Sequence, residues 1–199
     1  MRTKEGNKEK DIMEAAIKIF AENGFHYSKI AKIAEIAGVA TGSIYMYYQS
    51  KEDILHKIFN SIWENLYNEL LIIVNQTDLK APEKLDSIID LIIDEFTQNP
   101  NLALVIVNEQ NNFQKNTFTE FTPYYNKFLD LAVQVIKEGI DQNYFSKNVD
   151  LFIFRFYVLG AIRNILNNWA VNPKAFPLNK IRQGIKYFTK YGLLENKQL

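Results

Sequence analysis

Lys29, Lys32 and Lys51, the hydroxyls of Ser28, Thr41, Ser43, Tyr45 and Tyr47, and the bare backbone at Gly42 crowd into one short stretch of the chain. Ammonium groups neutralise phosphates, and hydroxyls hydrogen-bond phosphate oxygens or base edges. No acidic residue occurs between Ile36 and Lys51, so nothing in that run repels a polyanion. The chemistry on offer is contact with a nucleic acid, although hydroxyls read base sequence less sharply than Arg or Asn would. Taken singly, each lysine is an ordinary surface residue, and the lesser reading of Tyr45 and Tyr47 is as boundary aromatics. Tyr48 reads as core.

A second set lies further along. Arg155 and Arg163 are two helical turns apart and share one face of a strongly apolar segment. A buried guanidinium is costly unless paired. Either Asp90, Asp94 or Glu95 meets the two arginines, or the head of an anionic ligand does, and the internal pair carries more weight. Phe96, Phe113, Phe121, Tyr125, Phe128, Phe152 and Phe156 recur across the same region. Most of these aromatics are expected to pack a core. Read functionally, with Arg155 and Arg163, they line a pocket for a small apolar effector. His26 and His56 are the only histidines and stand in no metal-ligand spacing, and there is no cysteine. A thiolate site, a cysteine nucleophile and a disulfide framework are excluded. No phosphate-cradling loop or catalytic constellation is present, so neither an enzyme, a metal nor a cofactor is expected.

Helices must position these groups. The chain of 199 residues is 47% hydrophobic and 14% aromatic, with only 8 Gly and 5 Pro, a balance that favours long helices over turn-linked strands. Ile12, Ala16, Ile19 and Phe20 predict a helix over 8–23, stopped by Asn23-Gly24. Ser28 is expected to cap a second, short helix whose inner stripe is Ile30, Ile33, Ala34 and Ala37, ended by Gly38. A third short helix over 40–48 would turn Ile44 and Tyr48 inward and Thr41, Gly42, Ser43, Tyr45 and Tyr47 outward. Two short helices leaning on a longer one are the helix-turn-helix arrangement. Ser50 caps a long helix over 51–76, and further helices are expected over 82–98, 101–111, 117–141, 149–171 and 178–192. The fold expected is all-α with about nine helices: a DNA-binding domain at 1–50 and a ligand-binding and dimerisation domain at 51–199, joined by helix 51–76.

The run Gly38-Val39-Ala40-Thr41-Gly42-Ser43-Ile44-Tyr45-Met46-Tyr47-Tyr48-Gln49-Ser50-Lys51-Glu52-Asp53-Ile54-Leu55 resembles the DNA-binding domain of the TetR family of repressors. The resemblance implies phosphate contacts at Tyr45 and Lys51, backbone contacts at Ser28 and Lys29, and groove-facing positions at Thr41, Ser43 and Tyr47. Ala40 departs from the family, where a capping Ser is common. The stretch Lys137 to Phe145, followed by a buried helix ending near Trp169, resembles a subgroup of that family, the regulators of fatty-acid degradation. That likeness implies a long-chain acyl-CoA as effector, its acyl chain among the aromatics and its phosphates near Arg155 or Arg163. Asn143 stands where the subgroup often has Gly, and Asn tolerates the same left-handed turn.

The resemblance also implies a homodimer through helices 149–171 and 178–192, with Gly160-Ala161 as a close-contact patch and Ile181, Ile185 and Phe188 as a stripe. A two-fold dimer matches double-stranded DNA with a palindromic operator. The formal net charge is zero, so composition alone gives no sign of DNA. The absence of cysteine, of a signal-peptide pattern and of a long apolar run fits a cytoplasmic protein without a membrane span. Two rival readings share the fold: a sensor of cationic lipophilic drugs controlling an efflux gene, using Glu95 or Glu109, and an architectural DNA binder with no ligand.

Overall fold

A computed structural model describes residues 8–115, 123–175 and 177–193. Among them the elements are all helical: α1 (Lys8–Asn23), α2 (Ile30–Ala37), α3 (Thr41–Ile44), α4 (Lys51–Val74), α5 (Ala81–Gln98), α6 (Pro100–Lys115), α7 (Pro123–Asp141), α8 (Leu151–Val171) and α9 (Leu178–Leu193).

The first three helices make a small unit around Ile12, Ala16, Ile19, Phe20, Ile33, Ala34 and Ile44, all buried. Gly24 and Gly38 end α1 and α2 in the left-handed region, at φ 71° and 67°, where a Cβ is strained. Two details differ from expectation. The helix after Ser28 begins at Ile30 with Lys29 at its N-cap and no side-chain cap, because the Ser28 hydroxyl is spent elsewhere. The α-helical part of the expected 40–48 helix is only Thr41–Ile44. Ala40 gives it no side-chain cap, and tighter turns continue it, Met46 N–H donating to the Ser43 carbonyl and Tyr47 N–H to the Ile44 carbonyl.

α4 is the shaft of the molecule. Ser50 accepts from the Asp53 amide, and Glu52 and Asp53 add negative charge in the first turn. The inner stripe of α4, from Ile54 to Leu70, is buried against α1 at one end and α5 and α7 further along. α6 packs on both α1 and α8, which ties the N-terminal unit to the body a second time. At the α7 end, Asn143 adopts φ 61° and Phe145 folds back onto Gly139, where a Cβ would come within 2.2 Å of the Phe145 ring.

α9 lies along α5 through charge. Arg182 donates to Asp90 at 2.6 Å and also to Asp94; Lys186 meets Asp90 at 2.5 Å, and Lys190 meets Asp86 at 3.2 Å. Asp90 and Asp94 are therefore taken by α9 and not by the arginines of α8. Arg155 pairs instead with Asp130 of α7 at 3.0 Å. Burial works to raise the Asp90 carboxyl, but hydrogen bonds from Lys186 and Arg182 outweigh it and hold it below the usual carboxylate range.

α8 is capped by the Asp150 carboxylate, which accepts from the Phe152 and Ile153 amides. Its second half buries Ile162, Leu166, Trp169 and Ala170. Its first half packs Leu151, Phe154, Val158 and Leu159 against the core but leaves its other side open: Phe152 is 68% exposed and Tyr157 72%. Among the described residues no helix is long and apolar enough to cross a membrane.

Candidate nucleic-acid interface and effector cavity

Lys29, Thr41, Gly42 and Tyr45 are exposed, and Ser43 and Tyr47 half-buried, at the outer end of the N-terminal unit. α2 and the Thr41–Ile44 turn bring them together, with Ile44 as the anchor beneath. Lys32 is exposed but bonded to Glu35 of the same helix at 2.7 Å, which offsets its charge. Tyr27, 85% exposed just before α2, belongs to the same rim; sequence reasoning passed over it because nothing in its spacing sets it apart. Tyr48 is buried, and its hydroxyl donates to the Glu9 carbonyl at 3.1 Å. Burial, with Glu9 and Asp53 nearby, pushes its phenol up to about 12.

Two expected contacts point the other way. Ser28 is buried, and its hydroxyl donates to the Gly24 carbonyl at 2.6 Å, with the Ile19 carbonyl at 3.2 Å. It closes the end of α1, leaving no hydroxyl for a phosphate. Lys51 reaches back from α4, and its ammonium donates to the carbonyls of Phe25 (2.7 Å), His26 (3.1 Å) and Ser28 (3.2 Å). It also sits 4.5 Å from the centroid of the Phe25 ring.

The body contains an apolar cavity of about 280 Å³ between α4, α5, α6, α7 and α8. Phe96, Tyr125, Phe156 and Arg163 line it. Trp63, Ile92, Ile106, Val107, Leu159, Gly160, Ile162 and Leu166 complete the wall. Trp63 is the addition that matters. Its spacing on α4 marks it only as core, yet its ring meets Tyr125 edge-on at 4.7 Å and Phe96 at 6.3 Å. Phe128 and Arg155 line a second void of about 50 Å³ that shares Ile92, Leu159 and Ile162 with the first. Phe152 falls outside both, meeting the Phe156 ring edge-on at the surface, with centroids 4.9 Å apart. Phe113 is in α6 at a position whose side chain is not described, and Phe121 lies outside the described residues.

Arg163 is the one formally charged residue among the described groups on the larger cavity wall. The carboxylates of the cationic-drug reading are elsewhere. Glu95 accepts from Asn65 Nδ2 at 3.0 Å, and burial raises its carboxyl. Glu109 is buried with a partner of its own, not unpaired. His56 on α4 is pushed below the usual imidazole range by burial, against the pull of Asp53 and Glu52. Among the described residues no cluster could hold a metal ion.

Comparison with known proteins agrees with this arrangement. Residues 12–58 match the family model of bacterial regulatory proteins, tetR family, and residues 68–189 match that of the YsiA-like protein C-terminal region. The fatty acid metabolism regulator protein of Bacillus subtilis is 29% identical over 171 residues, 84% of this chain and 86% of that one. The crystal structure of the transcriptional regulator FadR from Bacillus subtilis in complex with stearoyl-CoA superimposes with a TM-score of 0.78 at 27% identity, covering 92% of this chain and 98% of that one. The fatty acid degradation regulator FadR from Bacillus halodurans shares the fold at a TM-score of 0.80 and 24% identity, over 94% of this chain and 96% of that one. The exposed hydroxyls and lysine over a helix-turn-helix, the cavity behind α4 and these matches agree: the chain belongs to the TetR family of bacterial DNA-binding transcriptional regulators and is not an enzyme.

Proposed function

We propose that the protein is a repressor that grips a palindromic operator as a homodimer and releases it when a long-chain acyl-CoA enters the cavity. Such a regulator works in the cytoplasm, where its operator is. The observation that carries the reading is Trp63. One continuous helix, α4, both walls the cavity at Trp63 and begins against the helix-turn-helix at Lys51. A ligand that displaces Trp63 must tilt α4, and with it the DNA-contacting unit. The ligand shifts the equilibrium only by its differential affinity for the two states.

The ligand class follows from the walls. They are apolar, and their one charged group, the Arg163 guanidinium, has a partner within the chain that an anionic head would share or replace. A cavity of about 280 Å³ is at the small end for a ligand site. A long acyl chain therefore has to open the adjoining void past Leu159 and Ile162, toward Arg155. That forced parting of α5, α7 and α8 is the work that would move α4. The relative crystallised with stearoyl-CoA supports the same class.

On DNA, Lys29, Thr41, Gly42, Ser43, Tyr45 and Tyr47 make the contacts in this reading, Tyr45 to phosphate and Thr41, Ser43 and Tyr47 toward base edges. Lys32 contributes charge once its link to Glu35 opens. The dimer forms through α8 and α9. Ile153, Tyr157 and Phe188, exposed on those helices, and the adjoining groove of about 470 Å³ between them, are what a second copy would cover. Ile181 and Ile185, expected to join that stripe, are buried within the chain and line the floor of the groove.

Calorimetric titration with stearoyl-CoA is the test of the ligand. One saturable site per chain is expected, with free stearate binding more weakly for want of phosphates. No heat and no thermal shift with acyl-CoAs of any length would remove the acyl-CoA reading and leave the DNA reading untouched.

A further inference from the structure

The Lys51 ammonium has three N–H donors, and three backbone carbonyls receive them: Phe25, His26 and Ser28, at 2.7, 3.1 and 3.2 Å. The Phe25 ring covers the same cation at 4.5 Å. No donor remains for a phosphate. These carbonyls belong to the turn between α1 and α2, just past the end of α1, where a helix presents negative potential and where α1 itself carries no basic residue in its last turn. Ser28 works on the same turn from inside, its hydroxyl on the Gly24 and Ile19 carbonyls. Between them, Ser28 and Lys51 engage the carbonyls of Ile19, Gly24, Phe25, His26 and Ser28.

From this geometry we infer that Lys51 is a positioning residue for DNA binding and not a phosphate ligand. It locks the α1–α2 turn, and so the start of α2 with Lys29 and Tyr27, to the first residue of α4. A point-like ammonium can converge three carbonyls on one atom; the planar fork of a guanidinium spreads its donors and cannot. The two roles therefore answer differently to Arg. For a phosphate contact, Arg is as good as Lys or better. For a three-carbonyl knot, Arg is a misfit that retains the charge.

The inference rests on the DNA-binding reading above, and its test separates the two. An operator duplex is selected from a random-sequence pool by the unaltered protein; if no duplex is recovered, it is the DNA-binding reading that has failed. Affinity for that duplex is then measured over a salt series for Lys51→Met and Lys51→Arg, alongside thermal unfolding. Both variants are expected to bind about tenfold more weakly, the scale of losing hydrogen bonds to a charged group, and the slopes of log affinity against log salt are expected to coincide. A phosphate contact predicts instead that Arg restores affinity and that its slope is steeper than that of Met by about 0.9 per protomer. That outcome overturns the inference, as does wild-type affinity in both variants, which would leave Lys51 a role in stability alone. If Lys51→Met does not fold, Lys51→Arg decides alone, because it keeps the charge and loses the convergence.

Discussion

The two ends of this molecule are finished to different degrees. In the N-terminal unit the chain supplies its own partners: Ser28 and Lys51 take the turn carbonyls, Tyr48 takes the Glu9 carbonyl, and Ile44 is 0% exposed beneath the DNA-facing turn. In the C-terminal body α9 is pinned to α5 by ion pairs, yet α8 carries Phe152, Ile153, Phe156 and Tyr157 into solvent, and α9 carries Phe188 at 74% exposure. A patch of that kind marks an interaction site. The difference is one of completion: the turns of the N-terminal unit are tied down by its own chain, whereas the body leaves a large apolar face on α8 and α9 open, the face that a second copy covers in the proposed reading.

The sharpest way to break this contrast is at the open face. Replacing both Tyr157 and Phe188 by Asp is expected to dissociate the dimer and cut operator affinity more than about a hundredfold, while leaving each chain helical. Sedimentation velocity and gel shift check it; a variant that stays dimeric removes α8 and α9 as the interface. At the closed end, Ile44→Ala is expected to destabilise the N-terminal unit by about 3 kcal/mol, the usual range for a fully buried aliphatic side chain. Operator binding would go with it, but dimerisation would not, and hydrogen exchange of α1 and α2 amides reports the local loss. Were the loss spread evenly over the chain, the two units would not be separable.

Gly139→Ala probes the body away from either interface. The added Cβ would overlap the Phe145 ring at 2.2 Å, and overpacking of that kind costs about 2 kcal/mol. Thermal unfolding should show that loss, with the α1–α3 amides unchanged. Tyr45→Phe is expected to lower operator affinity about threefold to tenfold, the scale of one hydrogen bond, with no change in melting temperature. A Tyr45→Phe variant that melts lower instead makes the residue a packing group. The smallest effect concerns the ladder between α5 and α9. The Asp90 carboxyl is held low in the folded chain, so its ionised form contributes stability above the ordinary aspartate range. That contribution is lost as pH falls below about 4. Asp90 is partly exposed, so the effect is small; Asp90→Asn should lower stability slightly at neutral pH and flatten the acid limb of a stability-against-pH curve, the two curves converging below the aspartate range.

Much of the fold is written locally. Gly24, Gly38 and Asn143 each set a boundary through a backbone preference and Ser50 through its side-chain cap, and α1 begins and ends where the periodicity of Ile12, Ala16, Ile19 and Phe20 requires. α3 was harder to bound, since Ala40 supplies no cap and the helix tightens after Ile44. Partners distant in sequence were not legible. Nothing in the spacing of Arg155 says that Asp130 will meet it, or that Arg182 and Lys186 will take Asp90 first. The same limit applies to Lys51. Its type and place suggest a phosphate, and only the three-dimensional return to the α1–α2 turn shows three carbonyls already in its grasp. Within the cavity, Phe96, Tyr125, Phe156 and Arg163 were recognisable by type. Trp63 was not, because a residue on a connector's inner stripe looks the same whether it faces core or cavity.

The central claim is that filling the cavity at Trp63 loosens the grip on DNA. Its most direct test is the fluorescence anisotropy of a selected operator duplex, titrated with the protein with and without saturating stearoyl-CoA at fixed salt. The account predicts an operator affinity at least about tenfold weaker with the ligand, a coupling of about 1.4 kcal/mol. Superimposable curves, under conditions where calorimetry shows the ligand bound, would contradict it.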